Sequence, residues 1–133
     1  MPVERLGSGG PWEEIVGYSR VVRAGPFLLV AGTTAMTPDG AVQGGASPYD
    51  QARYALEGVA HALSRMGATL NDVVRTLVYV TDAVHWEEVA RAHREALGEV
   101  RPAATMVEVS RLLDPRLLVE VEAMAYVESG LAS

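Results

Sequence analysis

Apolar residues near the start of the chain recur with the short spacing that is typical of β-strands. The runs "SRVVRAG" and "PFLLVAGTT" are separated by Ala24, Gly25 and Pro26, a combination that favours a turn. The pattern therefore predicts a β-hairpin. Residues 1–13 show no comparable pattern, so we interpret them as a candidate mobile start.

The segment that follows the hairpin changes to helical spacing. The Gly-rich stretch "TPDGAVQGGASPYD" leads to Ser47 as a helix N-cap, Pro48 at the first helical position and Asp50 three residues after the cap. Beyond it, apolar residues recur every three or four positions, at Ala52, Ala55, Leu56, Val59, Leu63 and Met66. This pattern predicts a helix over residues 48–66 that ends at Gly67.

The second half of the chain predicts a strand, a helix and two more strands. The run 73–81 is β-branched and short, which indicates a buried strand. The next helix is expected to bury one face, made of Trp86, Val89, Ala90, His93, Ala96 and Leu97, and to end before Gly98. The strands "ATMVEV" and "LLVEVEAMAYV" close the chain. The element order is β-β-α-β-α-β-β, which predicts an α+β fold with one mixed sheet.

The last predicted strand indicates how the two faces of that sheet differ. Right-handed crossovers place both helices on the same face. The small residues Val119, Val121, Ala123 and Ala125 suit packing under the helices, which leaves Leu118, Glu120, Glu122, Met124 and Tyr126 on the uncovered face. Large apolar residues on an uncovered sheet usually mark a subunit interface. We therefore expect an oligomer, with polar groups in clefts between subunits.

Composition limits the classes of function. The 133 residues fit a single domain, 1–133, with no cysteine, no lysine and a formal charge of -6. Eleven scattered arginines form no basic patch, so we expect no nucleic-acid partner. The absence of a long apolar run predicts a cytoplasmic protein without a membrane partner. His61, His85 and His93 lack metal-ligand spacing, and we expect neither a metal nor a cofactor.

Several segments together resemble the RidA (YjgF) family, whose best-known members hydrolyse reactive imines and enamines. They are "VGYSRVVRAG", "LLVAGTTAMTPDG", "QARYALEGVAHALSRMGATLNDVVRTLVYVTD" and "RPAATMVEVSRLLDPRLLVEVEAMAYV". The resemblance implies a chorismate-mutase-like fold that assembles as a homotrimer, with small-molecule sites in three clefts between subunits. It implies a hydrolase of the imine or enamine deaminase type.

The resemblance also implies a set of site residues, from which this chain departs at one position. Tyr18, Gly32, the backbone of Met106 and Glu120 match the family's pattern, and Thr33 follows Gly32 in the strand end that a ligand would approach. The arginine that pairs with a substrate carboxylate is replaced by Ala104. An asparagine and an aromatic residue of the second helix are likewise replaced, by Ala90 and His93.

Each candidate residue has a structural alternative. Glu120 is the candidate catalytic residue, because a carboxylate in a partly dry cleft can orient and deprotonate water. Alternatively, Glu120 pairs with an arginine across an interface. Tyr18 can contact a ligand or pack at an interface, and Gly32 can be a plain strand-end glycine. His93 lies on an apolar stripe, which favours a core or interface position over a catalytic role.

Two functions remain open at this level. The first is a trimer that binds and hydrolyses a small imine, enamine or related carbonyl metabolite, with 2-imino acids as poor substrates because of Ala104. The alternative is a non-enzymatic metabolite-binding or regulatory trimer. The loss of the arginine favours the second, whereas Glu120, Tyr18 and Gly32 favour the first.

Overall fold

The computed structural model describes residues 3–128. One six-stranded sheet and three α-helices make up the fold. In chain order the elements are β1 (Val3–Leu6), α1 (Pro11–Val16), β2 (Val21–Ala24), β3 (Phe27–Thr33), α2 (Pro48–Ser64), β4 (Val73–Val80), α3 (Trp86–Leu97), β5 (Ala103–Glu108) and β6 (Val119–Tyr126). Short 3₁₀ turns at Leu70–Asp72 and Ala83–His85 precede β4 and α3.

The sheet is mixed, and its last strand lies in the middle. The strand order is β1-β2-β3-β6-β4-β5. Strand β6 pairs antiparallel with both β3 and β4, whereas β4 and β5 are parallel neighbours. The parallel relation of β3 and β4, and of β4 and β5, follows from the helical crossovers α2 and α3. The predicted α+β fold with one mixed sheet is confirmed.

Both long helices cover the same face of the sheet, as the pattern predicted. Ser47 caps α2 by accepting a hydrogen bond from the backbone N–H of Asp50 at 3.1 Å. The predicted apolar stripe of α2 is buried from Ala52 to Met66 and packs on β3 and β6. On β6, Val119, Val121, Ala123 and Ala125 are buried, so the predicted assignment of the two faces is confirmed.

The first two elements were not predicted. Strand β1 extends the sheet by pairing antiparallel with β2, and α1 is a single short helix. Four residues of strand and six of helix are too short to show a hydrophobic period, so the pattern gave no signal for either. The candidate mobile start therefore contains β1 and the first residues of α1; its first two residues, like residues 129–133 of the proposed domain, lie outside the described range.

The predicted face of α3 needs one correction. Trp86 is 54% exposed rather than buried, because it is the first residue of the helix and lies beyond the edge of the core. Ala92, which was not assigned to the face, is buried beside Val89 and Leu97. The centre of the apolar stripe therefore lies further from the helix start than the spacing predicted.

The opposite face of the sheet carries no helix of residues 3–128. Phe27 and Leu29 of β3 lie beside Tyr126 and Met124 of β6 on this face, and the rings of Phe27 and Tyr126 meet edge to face at 5.4 Å. Phe27, Leu29 and Tyr126 are each 42% exposed. Within the described residues, no helix is both long and apolar enough to cross a membrane.

Candidate active site

A cavity of about 680 Å³ opens where β3 and β6 meet the first helix and the side of α2. Four of the six predicted site residues border it, namely Tyr18, Gly32, Thr33 and Glu120. Tyr18 follows α1, Gly32 and Thr33 end β3, and Glu120 lies near the start of β6. The fold thus brings together residues that are separated by about a hundred positions in the chain.

Glu120 lies directly beside Gly32. A Cβ atom built on Gly32 would approach the Glu120 carboxyl carbon to 2.9 Å, and would come closer still to one of its carboxylate oxygens. The backbone conformation of Gly32 is one that other residues adopt, since its φ is not positive. The lack of a side chain at Gly32 leaves space for the Glu120 carboxylate, which any larger residue here would displace.

The electrostatic surroundings of Glu120 favour its protonated form. Burial raises its pKa above the ordinary value of 4.5; the charge of Arg20 opposes this shift, and the nearby Glu122 carboxylate adds to it. No residue within 3–128 donates a hydrogen bond to the Glu120 carboxylate or forms an ion pair with it. Its hydrogen-bonding capacity is therefore available to a molecule in the cavity.

Glu122 lies on the same face of β6 as Glu120. Glu120 is opposite Tyr79 of β4, and Glu122 is opposite Leu77. Burial raises the pKa of Tyr79, and the charges of Glu122 and Glu120 raise it further. Glu122 does not border the cavity. The two carboxylates therefore influence each other without sharing one site.

Arg20 is a cavity residue that sequence reasoning missed. Its Nη1 donates to the backbone oxygens of Ala31 (3.2 Å) and Gly32 (2.7 Å) and to Thr33 Oγ1 (2.8 Å). Its guanidinium lies 5.6 Å from the ring centroid of Tyr18, and Nη2 reaches the Tyr18 hydroxyl at 3.4 Å. Arg20 therefore fixes the end of β3 against Tyr18. In the sequence, the position of Arg20 two residues after Tyr18 is the one feature that could have indicated its place at the site.

Glu13 of α1 completes the charged group around Arg20. Its carboxylate lies 3.9 Å from Arg20 Nε and accepts hydrogen bonds from the backbone N–H and hydroxyl of Ser8. Although burial alone would raise the pKa of Glu13, the Ser8 hydrogen bonds and the charge of Arg20 lower it on balance. The first helix is thereby held at the cavity by charge.

Ala104 and Met106 lie elsewhere in the chain's structure. Both belong to β5, an edge strand, where Ala104 is opposite Thr76 and Met106 is opposite Val78 of β4. Two strands, β6 and β4, separate β5 from β3. Neither residue borders the cavity, and Ala104 is exposed. The six predicted residues therefore form two groups within one chain, and their union in a cleft between subunits stays a prediction.

The buried glutamine Gln51 positions the start of β6. Its side-chain amide donates to the backbone oxygens of Gly45 (2.7 Å) and Arg116 (3.0 Å) and accepts from the backbone N–H of Leu118 at 2.9 Å. These bonds tie α2 to the Gly-rich loop and to the residues just before Glu120. Because the side chain is fully buried, its three bonds are costly to lose.

The histidines have different surroundings. His93 Nε2 lies 2.9 Å from the hydroxyl of buried Thr76, and burial lowers the His93 pKa. His93 is therefore a partly buried residue whose ring nitrogen is paired with Thr76. Glu57 and His61 of α2 border the cavity, although Glu57 pairs with Arg53 at 3.0 Å. Among the described residues, no three His, Asp or Glu side chains could hold a metal ion.

Comparison with known proteins gives one family. A family model described as endoribonuclease L-PSP matches residues 12–127. An uncharacterized protein of Streptomyces coelicolor is 40% identical over 93% of this chain and 92% of its own length. The 3-aminoacrylate deaminase RutC of Acinetobacter baylyi is 27% identical over 96% of this chain and 100% of its own length.

Solved structures lead to the same result. A YjgF/YER057c/UK114 family member from Mycobacterium tuberculosis is 48% identical, covers 95% of this chain and 100% of its own, and superposes with a TM-score of 0.86. The YjgF gene product of E. coli is 26% identical, with coverages of 92% and 98% and a TM-score of 0.80. The chain therefore belongs to the endoribonuclease L-PSP family, also known as the YjgF/RidA/UK114 family.

Proposed function

We propose that this protein hydrolyses an imine, or an enamine after its tautomerisation to the imine, in the cavity beside Glu120, and releases ammonia and a carbonyl compound. Membership in the YjgF/RidA family supports a general imine-deaminase type of role, and RutC of Acinetobacter baylyi is a related 3-aminoacrylate deaminase. The observation that carries the proposal for this chain is the half-buried, unpaired Glu120 carboxyl group with its raised pKa.

The chemistry requires one group that can both accept and donate a proton. As a carboxylate, Glu120 removes a proton from water while the water oxygen bonds to the imine carbon and the C=N π electrons move to nitrogen. Glu120 then gives this proton to the nitrogen, which forms the carbinolamine. It next takes the proton of the carbinolamine hydroxyl group and passes it to the amine, so that the C–N bond breaks and C=O and ammonia are left. A carboxyl group with a raised pKa exchanges protons more readily near neutral pH than an ordinary glutamate.

Tyr18, Gly32 and Thr33 would hold the substrate next to Glu120. Gly32 allows close approach because it has no side chain, and Arg20 fixes the backbone around it through two carbonyl oxygens. The phenol of Tyr18 offers a hydrogen bond to a polar atom of the ligand. In a trimer, Ala104 and the backbone of Met106 from a neighbouring subunit would close the cleft.

Ala104 determines which imines are poor substrates. An arginine at this position would bind the carboxylate of a 2-imino acid through a charge-assisted pair. Such bonds contribute roughly 1.5 to 3 kcal/mol, so alanine should lower the efficiency for 2-imino acids by about one to two powers of ten. Ala104→Arg should recover part of this loss if the cleft has room for the longer side chain.

The test follows ammonia release from imines made in place by an amino-acid oxidase or by an amine oxidase. Wild type should accelerate hydrolysis of the carboxylate-free imines over a protein-free reaction and act weakly on 2-imino acids, while Ala104→Arg should gain on the latter. Wild-type activity on 2-imino acids equal to that of an arginine-bearing relative would contradict the role given to Ala104. No acceleration of any imine would leave the metabolite-binding trimer as the better account.

A further inference from the structure

The charged side chains around the cavity beside Glu120 limit which ligands it can bind. Two guanidinium groups border it, and both are engaged by the protein. Arg20 is held by three oxygens at the end of β3 and approached by Glu13, and Arg65 donates to the backbone oxygen of Gly7 at 2.7 Å. Both guanidinium groups are therefore already hydrogen-bonded to the protein, and Arg20 in particular is held by the end of β3.

The acidic groups of the cavity differ in whether they have bonding partners in the protein. Glu13 is satisfied by Ser8 and Arg20, and Glu57 pairs with Arg53. Glu120 alone among these three lacks a bonding partner within residues 3–128. The cavity thus presents one accessible acid without a protein partner, which favours a ligand with a hydrogen-bond donor or a positive charge, such as a C=N–H group, and disfavours an anion.

Part of the exposed lining of the cavity is apolar. Trp12 and Val16 of α1 and Leu113 of the loop between β5 and β6 border it, and we call these three residues the apolar rim. They are 37%, 64% and 74% exposed, which is unusual for large apolar side chains grouped around one opening. Apolar surface at the entrance of a polar site is typical of a ligand-binding groove.

We infer that the substrate is an imine that bears an apolar group and no carboxylate, with its nitrogen toward Glu120 and its apolar group on the rim. The inference rests on the proposed function and names the substrate class of the same site. A cavity of about 680 Å³ has room for a ligand well above the size of a two- or three-carbon imine. Covering the rim would remove apolar surface from water and add affinity.

Binding of the carbonyl products tests this class independently of turnover. The probes are 2-butanone, 2-hexanone and 2-octanone, each compared with the 2-oxo acid of the same chain length, and affinities are measured by chemical-shift titration. Each methylene that covers the rim should tighten binding about fourfold, until the rim is filled. The ketones should bind about tenfold or more tightly than the matching 2-oxo acids.

Two variants test whether the apolar group of the ligand lies on the rim, and a third is a control for substitution on the same helix. Val16→Asn and Leu113→Ser should each weaken 2-octanone several-fold and leave 2-butanone unchanged. Ile15→Asn is the matched control, since Ile15 is 75% exposed on the same helix and does not border the cavity. All three side chains are mostly in water, so the substitutions should not disturb the fold.

Three results would overturn the inference. They are affinity that is flat with chain length, equal effects of Val16→Asn and Ile15→Asn, and tighter binding of the 2-oxo acids, which would indicate an arginine supplied by a neighbouring chain. Hydrolysis of carboxylate-free imines with flat ketone affinities would keep the proposed function and reject the apolar substrate. Binding that depends on chain length, without any hydrolysis, would support an apolar ligand and reject the proposed function.

Discussion

The Glu120 carboxyl group combines three properties that matter for its role. It is partly buried, it has no bonding partner within residues 3–128, and it lies against a glycine whose missing side chain leaves space for it. Burial without a partner is costly for a carboxylate, and the group responds by raising its pKa. Within residues 3–128, this arrangement leaves the carboxyl group accessible to a ligand in the cavity.

The raised pKa of Glu120 predicts a pH dependence of stability. An unfolded glutamate titrates near 4.5, whereas folded Glu120 holds its proton to higher pH. The folded state therefore binds more protons between these two values, and stability is lost as pH rises through that window. Urea unfolding from pH 4 to 8 at fixed protein concentration, in wild type and Glu120→Gln, should show the wild type losing stability relative to the variant.

In the difference between wild type and Glu120→Gln, the contributions of the other titrating groups to the pH dependence cancel. His93, whose pKa burial lowers, acts in the opposite direction, because the unfolded state takes up its proton as pH falls below 6.5. That contribution is the same in both proteins. A difference in unfolding free energy that does not change with pH would contradict a raised Glu120 pKa.

At the residue scale, the sequence could predict which side chains share a face but not which are paired. Strand alternation placed Glu120 and Glu122 on the uncovered face and the small residues under the helices, and the structure confirms it. Arg20 was missed because its partners are backbone oxygens of β3, and no sequence pattern marks a carbonyl acceptor. The positions of Glu57 and His61 along the cavity depend on tertiary packing, which no local sequence pattern shows.

At the scale of elements, α2 approaches β3 closely at one point. A Cβ atom on Gly58 would come within 2.7 Å of the Thr33 methyl group. Thr33 is buried, and its hydroxyl donates to Ala31 and accepts from Arg20. A glycine in a helix costs about 0.5 to 1 kcal/mol relative to alanine, so its presence here fits a requirement for space beside the site.

Gly58→Ala is therefore expected to destabilise the protein despite its better helix propensity. Overpacking against Thr33 costs roughly 1 to 3 kcal/mol, which exceeds the propensity gain. Thermal unfolding should show a lower Tm for Gly58→Ala. The double variant Gly58→Ala with Thr33→Ser, which keeps the hydroxyl and removes the methyl group, should recover the loss. A higher Tm for Gly58→Ala alone would show that the contact relaxes at no cost.

The elements that could be predicted are those long enough to show a period. Helix α2 and strands β2 to β6 lie within a few residues of their predicted bounds, because each carries turn or cap signals at its ends. Strand β1 and helix α1 depend on pairing with β2 and on the Glu13 contacts with Ser8 and Arg20. These contacts are made by tertiary structure, so a local pattern cannot reveal them.

For the whole molecule, two observations underlie the proposed homotrimer: the uncovered face of the sheet and the division of the predicted site residues into two groups. Leu29 and Phe27 lie on a face that no described helix covers, and Ala104 and Met106 lie apart from the cavity in the same chain. A homotrimer would cover the face and bring β5 of one subunit toward the cavity of the next. The trimer is part of the proposal and is testable separately.

Light scattering coupled to size exclusion should give a mass of about 43 kDa, three times 14.2 kDa. Leu29→Asp should dissociate the assembly, because it puts a charge on the apolar interface, and should abolish hydrolysis with it. Val84→Asp is the matched control, since Val84 is 73% exposed at the turn before α3. A wild-type monomer at micromolar concentration, or a fully active Leu29→Asp monomer, would contradict a site shared between subunits.

The role of Glu120 is tested by the rate of ammonia release by Glu120→Gln. The amide keeps the size of the side chain but cannot take a proton from water, so imine hydrolysis should fall about 100-fold or more while the trimer and the affinity for ketone products are kept. Glu122→Gln, on the same face of β6 but outside the cavity, should retain most of the wild-type rate. A Glu120→Gln protein that hydrolyses imines as fast as wild type would contradict the central claim.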